Sequence, residues 1–208
     1  MALTPEQKQL WFASVSDRSD SQSLHETALL RFRGPLQQQA FNQAVQTIVN
    51  RHEALHIFMS GDGETQVFAP VMKAEIPLHD FTSYRPDEQE QHIRAWMIKD
   101  SETPFAMTPG KPLFRIHLLK ISDEEHLGVF TFHHFIADGW SISVFIQELE
   151  HIYSALVRHA DYNLPDPVPF RNYVVWQQDQ LKAGKKRPLL FGQQCKKSSS
   201  LSSICHLR

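Results

Sequence analysis

Apolar residues recur at spacings of three to five between Leu36 and Val49, through Ala40, Phe41, Ala44, Val45 and Ile48. On a helix that spacing gathers one stripe, so a helix is predicted there, ending near residues 51–55. A second stripe, Ile142, Phe145, Ile146, Leu149, Ile152, Tyr153 and Leu156, predicts a long helix over residues 142–159. Ile93, Trp96 and Met97 behind Pro86 predict a helix over 86–101, and Tyr173, Val174 and Trp176 predict another over 170–182. At the N-terminus Thr4 can cap, Pro5 suits the first helical position and Gln7 completes a capping box. Leu10, Trp11 and Phe12 follow, which predicts a helix over 4–14.

The rest reads as strands and punctuation. Residues 24–33 form a strand stopped by Gly34-Pro35, and residues 113–121 and 126–133 form a strand pair across Ser122-Asp123-Glu124-Glu125. Residues 56–59 and 65–69 read as a hairpin around Gly61-Asp62-Gly63. Residues 14–23 are polar and loop-like, 161–169 are proline-rich, and Pro109-Gly110-Lys111-Pro112 breaks the chain. The order α-β-α-β-β-α-β-β-α-α predicts an α/β (α+β) sandwich with a mixed, largely antiparallel sheet covered by helices. Residues 1–185 form one folded unit, and the serine-rich stretch 186–208, without helical or strand period, is expected to be a disordered tail.

Composition narrows the function classes. The chain has 208 residues, 41% hydrophobic and 21% charged, with a net charge of -2. No nucleic-acid footprint and no polybasic membrane patch follow from that balance. The apolar runs are too short to span a bilayer, and the N-terminal sequence lacks the basic and apolar regions of a signal peptide. The two cysteines, Cys195 and Cys205, make no disulfide framework, so a cytoplasmic setting is expected.

Candidate chemistry concentrates in HHFIADGWS, residues 133–141, at the end of a strand. Adjacent strand residues point to opposite faces. His134 therefore shares a face with Phe132 and Phe130, and His133 shares the other with Thr131 and Val129. Side by side on opposite faces, the two imidazoles are poorly placed to hold one ion, and no metal-binding spacing occurs elsewhere. Asp138 can cap a helix beginning near Trp140, with Gly139 as a turn. On spacing alone, a structural corner and a catalytic base both remain open.

The segment resembles the His-His-x-x-x-Asp-Gly motif of condensation domains from nonribosomal peptide synthetases, within the chloramphenicol acetyltransferase-like superfamily. LTPEQKQLWFAS at 3–14 is similar to that family's opening motif, NRHEALHIFM at 50–59 to its second, and PLFRIHLL at 112–119 to the strand before the histidines. The resemblance implies a single acetyltransferase-like lobe, the N-terminal half of a two-lobed domain. It implies amide formation between a donor thioester and an acceptor amine, each carried on the phosphopantetheine arm of an acyl or peptidyl carrier protein. No cofactor of its own is expected. By the match, His134 is the catalytic histidine, His133 orients the loop, and Asp138 is structural, paired with an arginine for which Arg51 and Arg115 are the candidates. Gly139 lets the backbone approach the reacting groups, and its amide helps hold the oxyanion.

Two features depart from the pattern. The second arginine of the Arg-His-Glu-x-Leu-Arg motif is His56 here, and only the N-terminal lobe is covered. A lobe without its partner exposes apolar surface and should bind the missing lobe or self-associate. Three readings follow: half of a peptide-bond-forming domain, inactive alone; an acyltransferase using a free acceptor; and a non-catalytic module that docks carrier proteins.

Overall fold

The computed structural model describes residues 1–16, 24–60 and 63–183. The polar residues 17–23, the turn residues Gly61 and Asp62, the boundary expected near 185 and the tail expected over 186–208 lie outside the described residues. The elements run α1 (Pro5–Ser16), β1 (His25–Arg33), α2 (Gln38–Arg51), a 3₁₀ turn (Glu53–His56), β2 (Ile57–Met59), β3 (Gln66–Phe68), β4 (Leu78–Asp80), α3 (Pro86–Glu102), β5 (Phe114–Ser122), β6 (Glu125–His133), α4 (Gly139–Val157) and α5 (Phe170–Lys182).

A four-stranded sheet in the order β1-β6-β5-β4 organises the fold, and β2 and β3 form a separate hairpin. β6 runs antiparallel to both neighbours, with His25 opposite His133 and Phe114 opposite Phe132. β4 adds parallel to β5. That last strand is absent from the sequence reading: Leu78, His79 and Asp80 are too few to show a period, and pairing alone makes them a strand. The β5–β6 turn is also tighter than expected. Ser122 pairs directly with Glu125, leaving two residues between the strands.

Helices cover both faces of the sheet. On one face, Phe130 and Phe132 of β6 meet Phe41, Val45 and Ile48 of α2 and Phe145, Leu149 and Ile152 of α4. On the other, Leu127 and Val129 pack with Leu119 and Phe81 against Ile93, Trp96 and Met97 of α3. This explains why β6 is buried from His126 through His133 without alternation: a central strand covered on both sides has no wet face. Phe41 sits at the hub of the first core, its ring 5.5 Å from Phe32 and 6.3 Å from Phe130. Burying such a side chain contributes about 1.5–3 kcal/mol.

α1 begins as its sequence predicts. The Gln7 amide donates to Thr4 Oγ1 at 3.1 Å and the Thr4 amide donates to Gln7 Oε1 at 3.0 Å, closing the capping box. The helix then runs further than expected, because Ser14 satisfies its hydroxyl on the Leu10 carbonyl at 2.7 Å instead of leaving the helix. Its Trp11 ring lies on the β2–β3 hairpin at Gly63. A Cβ on Gly63 would collide with that ring, and the residue has φ +68°. Left-handed backbone alone costs a non-glycine residue roughly 1–2 kcal/mol, and the ring must also move. Gly63→Ala is therefore expected to lower stability by about 1–3 kcal/mol and to shift tryptophan emission as Trp11 is displaced. Urea unfolding followed by fluorescence measures both, and an unchanged midpoint would show that α1 does not depend on this seat.

Candidate active site

The histidine turn is tied down at both ends. The His133 amide donates to the Leu113 carbonyl at 2.8 Å and the His134 amide to the Leu24 carbonyl at 2.8 Å, so the chain leaves β6 held on either side. The Ile136 amide then closes on the His133 carbonyl at 3.0 Å. Asp138, in extended backbone, is the N-cap of α4: its Oδ1 accepts from the Ser141 amide at 2.8 Å and the Ser141 hydroxyl at 2.6 Å. Desolvation at the turn raises this carboxyl, but the Ser141 hydroxyl and amide outweigh it and hold the group below the ordinary carboxylate range.

The two adjacent histidines carry their protons on opposite nitrogens. His134 Nδ1 lies 2.9 Å from the Ala137 carbonyl. A carbonyl only accepts, so Nδ1 bears the hydrogen and Nε2 keeps a lone pair. His133 is the reverse. The Phe135 amide donates to His133 Nδ1 at 3.0 Å, which requires that nitrogen to be bare, and Nε2–H faces Ser14 Oγ at 3.1 Å. His133 is fully buried, between the rings of His25 and Phe105 at 6.1 Å and 5.9 Å. Burial first, then the His25 and His134 charges, depress its pKa to about 4. His133 is thus neutral near pH 7, a buttress with both nitrogens occupied.

His134 is half-exposed and lines a cleft of about 510 Å³ with Glu6, Gln7 and Leu10 of α1, the turn through Asp138, and Phe170 and Tyr173 of α5. Across the turn at Ile136 and Ala137 lies a smaller apolar cavity of about 200 Å³, walled by Leu55, Phe132, Trp140 and Phe145. Gly139 opens α4 into free space: a Cβ there would touch nothing within 4 Å. Among the described residues no group of three or more His, Cys, Asp or Glu is placed to hold a metal ion, and no helix is long and apolar enough to cross a membrane.

The arginines expected to pair with Asp138 are engaged elsewhere. Arg51 meets Glu148 at 3.3 Å and also the Pro165 carbonyl. Arg115 meets Asp100 at 3.1 Å, with its guanidinium 4.2 Å over the Phe105 ring. Asp138 takes part in no ion pair among the described residues, and the cap to Ser141 does the loop-holding expected of an arginine. Asp138→Ala is therefore expected to cost about 1 kcal/mol, and Asp138→Asn, an equal cap, far less. Chemical denaturation of the pair checks this; equal large losses would reveal a partner for the charge. His56, at the position of the motif's second arginine, is buried with Nε2 2.8 Å from the Val49 carbonyl and Nδ1 3.1 Å from the Ala69 carbonyl, joining the end of α2 to the residue that follows β3.

Sequence reading missed Ser14, the α1 wall and the α5 wall of the cleft. Ser14 stands 119 residues from His133, and no local pattern links the two. The opening motif was the available signal, since it supplies Glu6, Gln7 and Leu10 to the cleft.

Comparisons with known proteins bear on the family and the fold. The family described as the condensation domain matches residues 1–197. The chain is 32% identical over 181 residues to a linear gramicidin synthase of Brevibacillus parabrevis, a match that covers 85% of this chain and 3% of that protein. It is 32% identical over 208 residues to cyclosporin synthetase of Tolypocladium inflatum, covering 97% of this chain and 1% of that one. Among solved structures, the starter condensation domain of rhizomide synthetase superposes with TM-score 0.74 at 21% identity, over 94% of this chain and 45% of that one. The X-domain from teicoplanin biosynthesis superposes with TM-score 0.75 at 23% identity, over 94% and 42%. The chain thus spans a few per cent of these synthetases and less than half of the solved domains. With a match over residues 1–197, a mixed sheet covered by helices and the histidine turn at the end of β6, this chain belongs to the condensation-domain family of nonribosomal peptide synthetases.

Proposed function

We propose that this chain is the N-terminal half of an amide-forming condensation domain and that His134 is its base. The observation that carries the reading is the seated tautomer. With Nδ1–H on the Ala137 carbonyl, the Nε2 lone pair is the free basic position of a half-exposed ring on the cleft. An acceptor amine arrives as an ammonium and must lose a proton before it attacks. That first proton passes to solvent; the neutral nitrogen then adds to the donor thioester carbonyl while His134 Nε2 takes its second proton, the C–N bond forms as the C–S bond breaks, and the departing thiolate recovers that second proton from the imidazolium. Base and acid are then the same ring. The Gly139 amide at the open start of α4 is the proposed aid to the oxyanion.

Both substrates are proposed to arrive as thioesters on the phosphopantetheine arms of carrier proteins, so the domain needs no cofactor of its own. The match covers less than half of each of the solved relatives, and the proposed site closes only when the second lobe covers the cleft and aligns two tethered substrates. The test mixes this chain, a separately made C-terminal lobe, and donor and acceptor carriers loaded with aminoacyl groups. Intact-protein mass spectrometry follows the acceptor carrier. A dipeptidyl mass with both lobes, and none with this chain alone, is expected. No product with both lobes bound to each other would leave a docking role for carrier proteins. Turnover of acyl-CoA with a free amine would establish the free-acceptor acyltransferase instead.

A further inference from the structure

The hydrogen bonds around His133 form a chain with one direction. The Phe135 amide donates to Nδ1, Nε2–H donates to Ser14 Oγ, and the Ser14 hydroxyl donates to the Leu10 carbonyl. Its polarity is set from both ends. A peptide N–H cannot accept, so Nδ1 is bare; a carbonyl cannot donate, so the single Ser14 hydrogen is committed to Leu10 and only lone pairs face His133. One tautomer of His133 satisfies both ends, and its partner across the buried contact comes from α1.

We propose that Ser14 is a positioning residue for the site: by accepting from His133 Nε2–H it holds the Phe135 peptide, and with it the turn that seats His134 on the Ala137 carbonyl. The proposal rests on the reading of His134 as the base, but its structural claim stands without turnover. If Ser14 is removed, a fully buried ring N–H is left unpaired, which is costly. The ring can recover a partner only by turning or by exchanging its proton, and either releases the Phe135 amide. The turn through 134–137 then loses the side-chain brace that His133 gives it at the strand end, and His134 no longer has a single seat. α1 would thus do two things: wall the cleft with Glu6, Gln7 and Leu10, and align its base through Ser14.

The test is nitrogen-15 spectroscopy of the histidine rings, on this chain labelled at histidine, with two-bond proton–nitrogen correlations that read each tautomer. His133→Gln and His134→Gln supply the assignments. In the unaltered chain, His133 is expected with its proton on Nε2 and His134 with its proton on Nδ1. In Ser14→Ala, His134 is expected to lose its single Nδ1–H signature for a mixture, and Ser14→Thr, which keeps the hydroxyl, restores it. Unchanged ring signals for both histidines in a folded Ser14→Ala overturn the proposal, because a merely structural serine would alter melting alone. If that variant does not fold, the unaltered chain decides. A cross-peak between the His133 Nε2 proton and the Ser14 β-protons is expected, and a His133 protonated on Nδ1 overturns the proposal.

Discussion

Replacing His134 with alanine should lower amide formation by about 10²–10⁴-fold in the two-lobe reaction, with little change in stability. The asymmetry follows from the contacts. Among the described residues the His134 side chain makes one hydrogen bond that anchors it, from Nδ1 to the Ala137 carbonyl. A single neutral bond contributes roughly 0.5–1.5 kcal/mol, so melting should move little. The proton transfer has no other candidate on the turn: His133 has both nitrogens occupied, and the Asp138 carboxylate is held by Ser141. His134→Gln sharpens the test. Its amide can still donate to Ala137, which keeps the turn, but it has no basic nitrogen. It should lose as much rate as the alanine variant. A glutamine variant within a few-fold of the unaltered rate would remove proton transfer from the role of His134 and leave only orientation of the amine.

Acidification should destabilise the fold in a window set by His133. In the unfolded chain its imidazole titrates near 6.5; in the folded chain burial first, and then the neighbouring His25 and His134, depress it to about 4. Between those values the unfolded chain binds a proton that the folded chain refuses. Stability therefore falls as pH falls: the contribution is fully present above about 6.5 and is lost on descending to about 4. The span corresponds to about 3 kcal/mol, a large part of the stability of a single domain. Protonation would also put a hydrogen on Nδ1 against the Phe135 amide. Three more histidines act in the same direction. His25, His79 and His126 all lie below their ordinary values, each chiefly through burial.

Asp100 extends the acid limb further down. Burial raises its carboxyl, but His117, Arg115 and Thr131 outweigh burial and hold it below the ordinary value. Its contribution is present above the unfolded pKa and is lost as pH falls through the folded one. Urea midpoints measured from pH 7.5 to 4.5 should decline, and His133→Gln should decline less steeply, since glutamine can accept from Phe135 and donate to Ser14 without titrating. Parallel pH profiles for the two proteins would sink this account.

The elements with a strong period were legible in the chain. α2 and α4 bury one stripe each, and the stripe is written in the order of residues. The capping box of α1 is equally local, since Thr4 and Gln7 are three residues apart. The motif residues His133, His134, Asp138 and Gly139 stand out in the sequence because they are clustered in one short segment and because that segment resembles a known one. β4 was not found, since three residues carry no period and its partner, β5, lies far along the chain.

Tertiary structure decided the partners. Asp138 invites an arginine by analogy, yet Arg51 is drawn to Glu148 and Arg115 to Asp100, because α4 and α3 bring those carboxylates closer. Sequence order said nothing about which charges would meet. The protonation of the histidine pair was likewise out of reach: the tautomers depend on the Ala137 carbonyl, the Phe135 amide and a serine 119 residues away. The chain by itself determined which helices form, where the turn lies and which two imidazoles stand on it. Which nitrogen of each holds a proton, and therefore which one presents a bare nitrogen to the cleft, exists only once the turn is folded on the Ala137 carbonyl and α1 is laid against the end of β6, because a hydrogen bond is fixed by atoms in space and not by their place in the sequence.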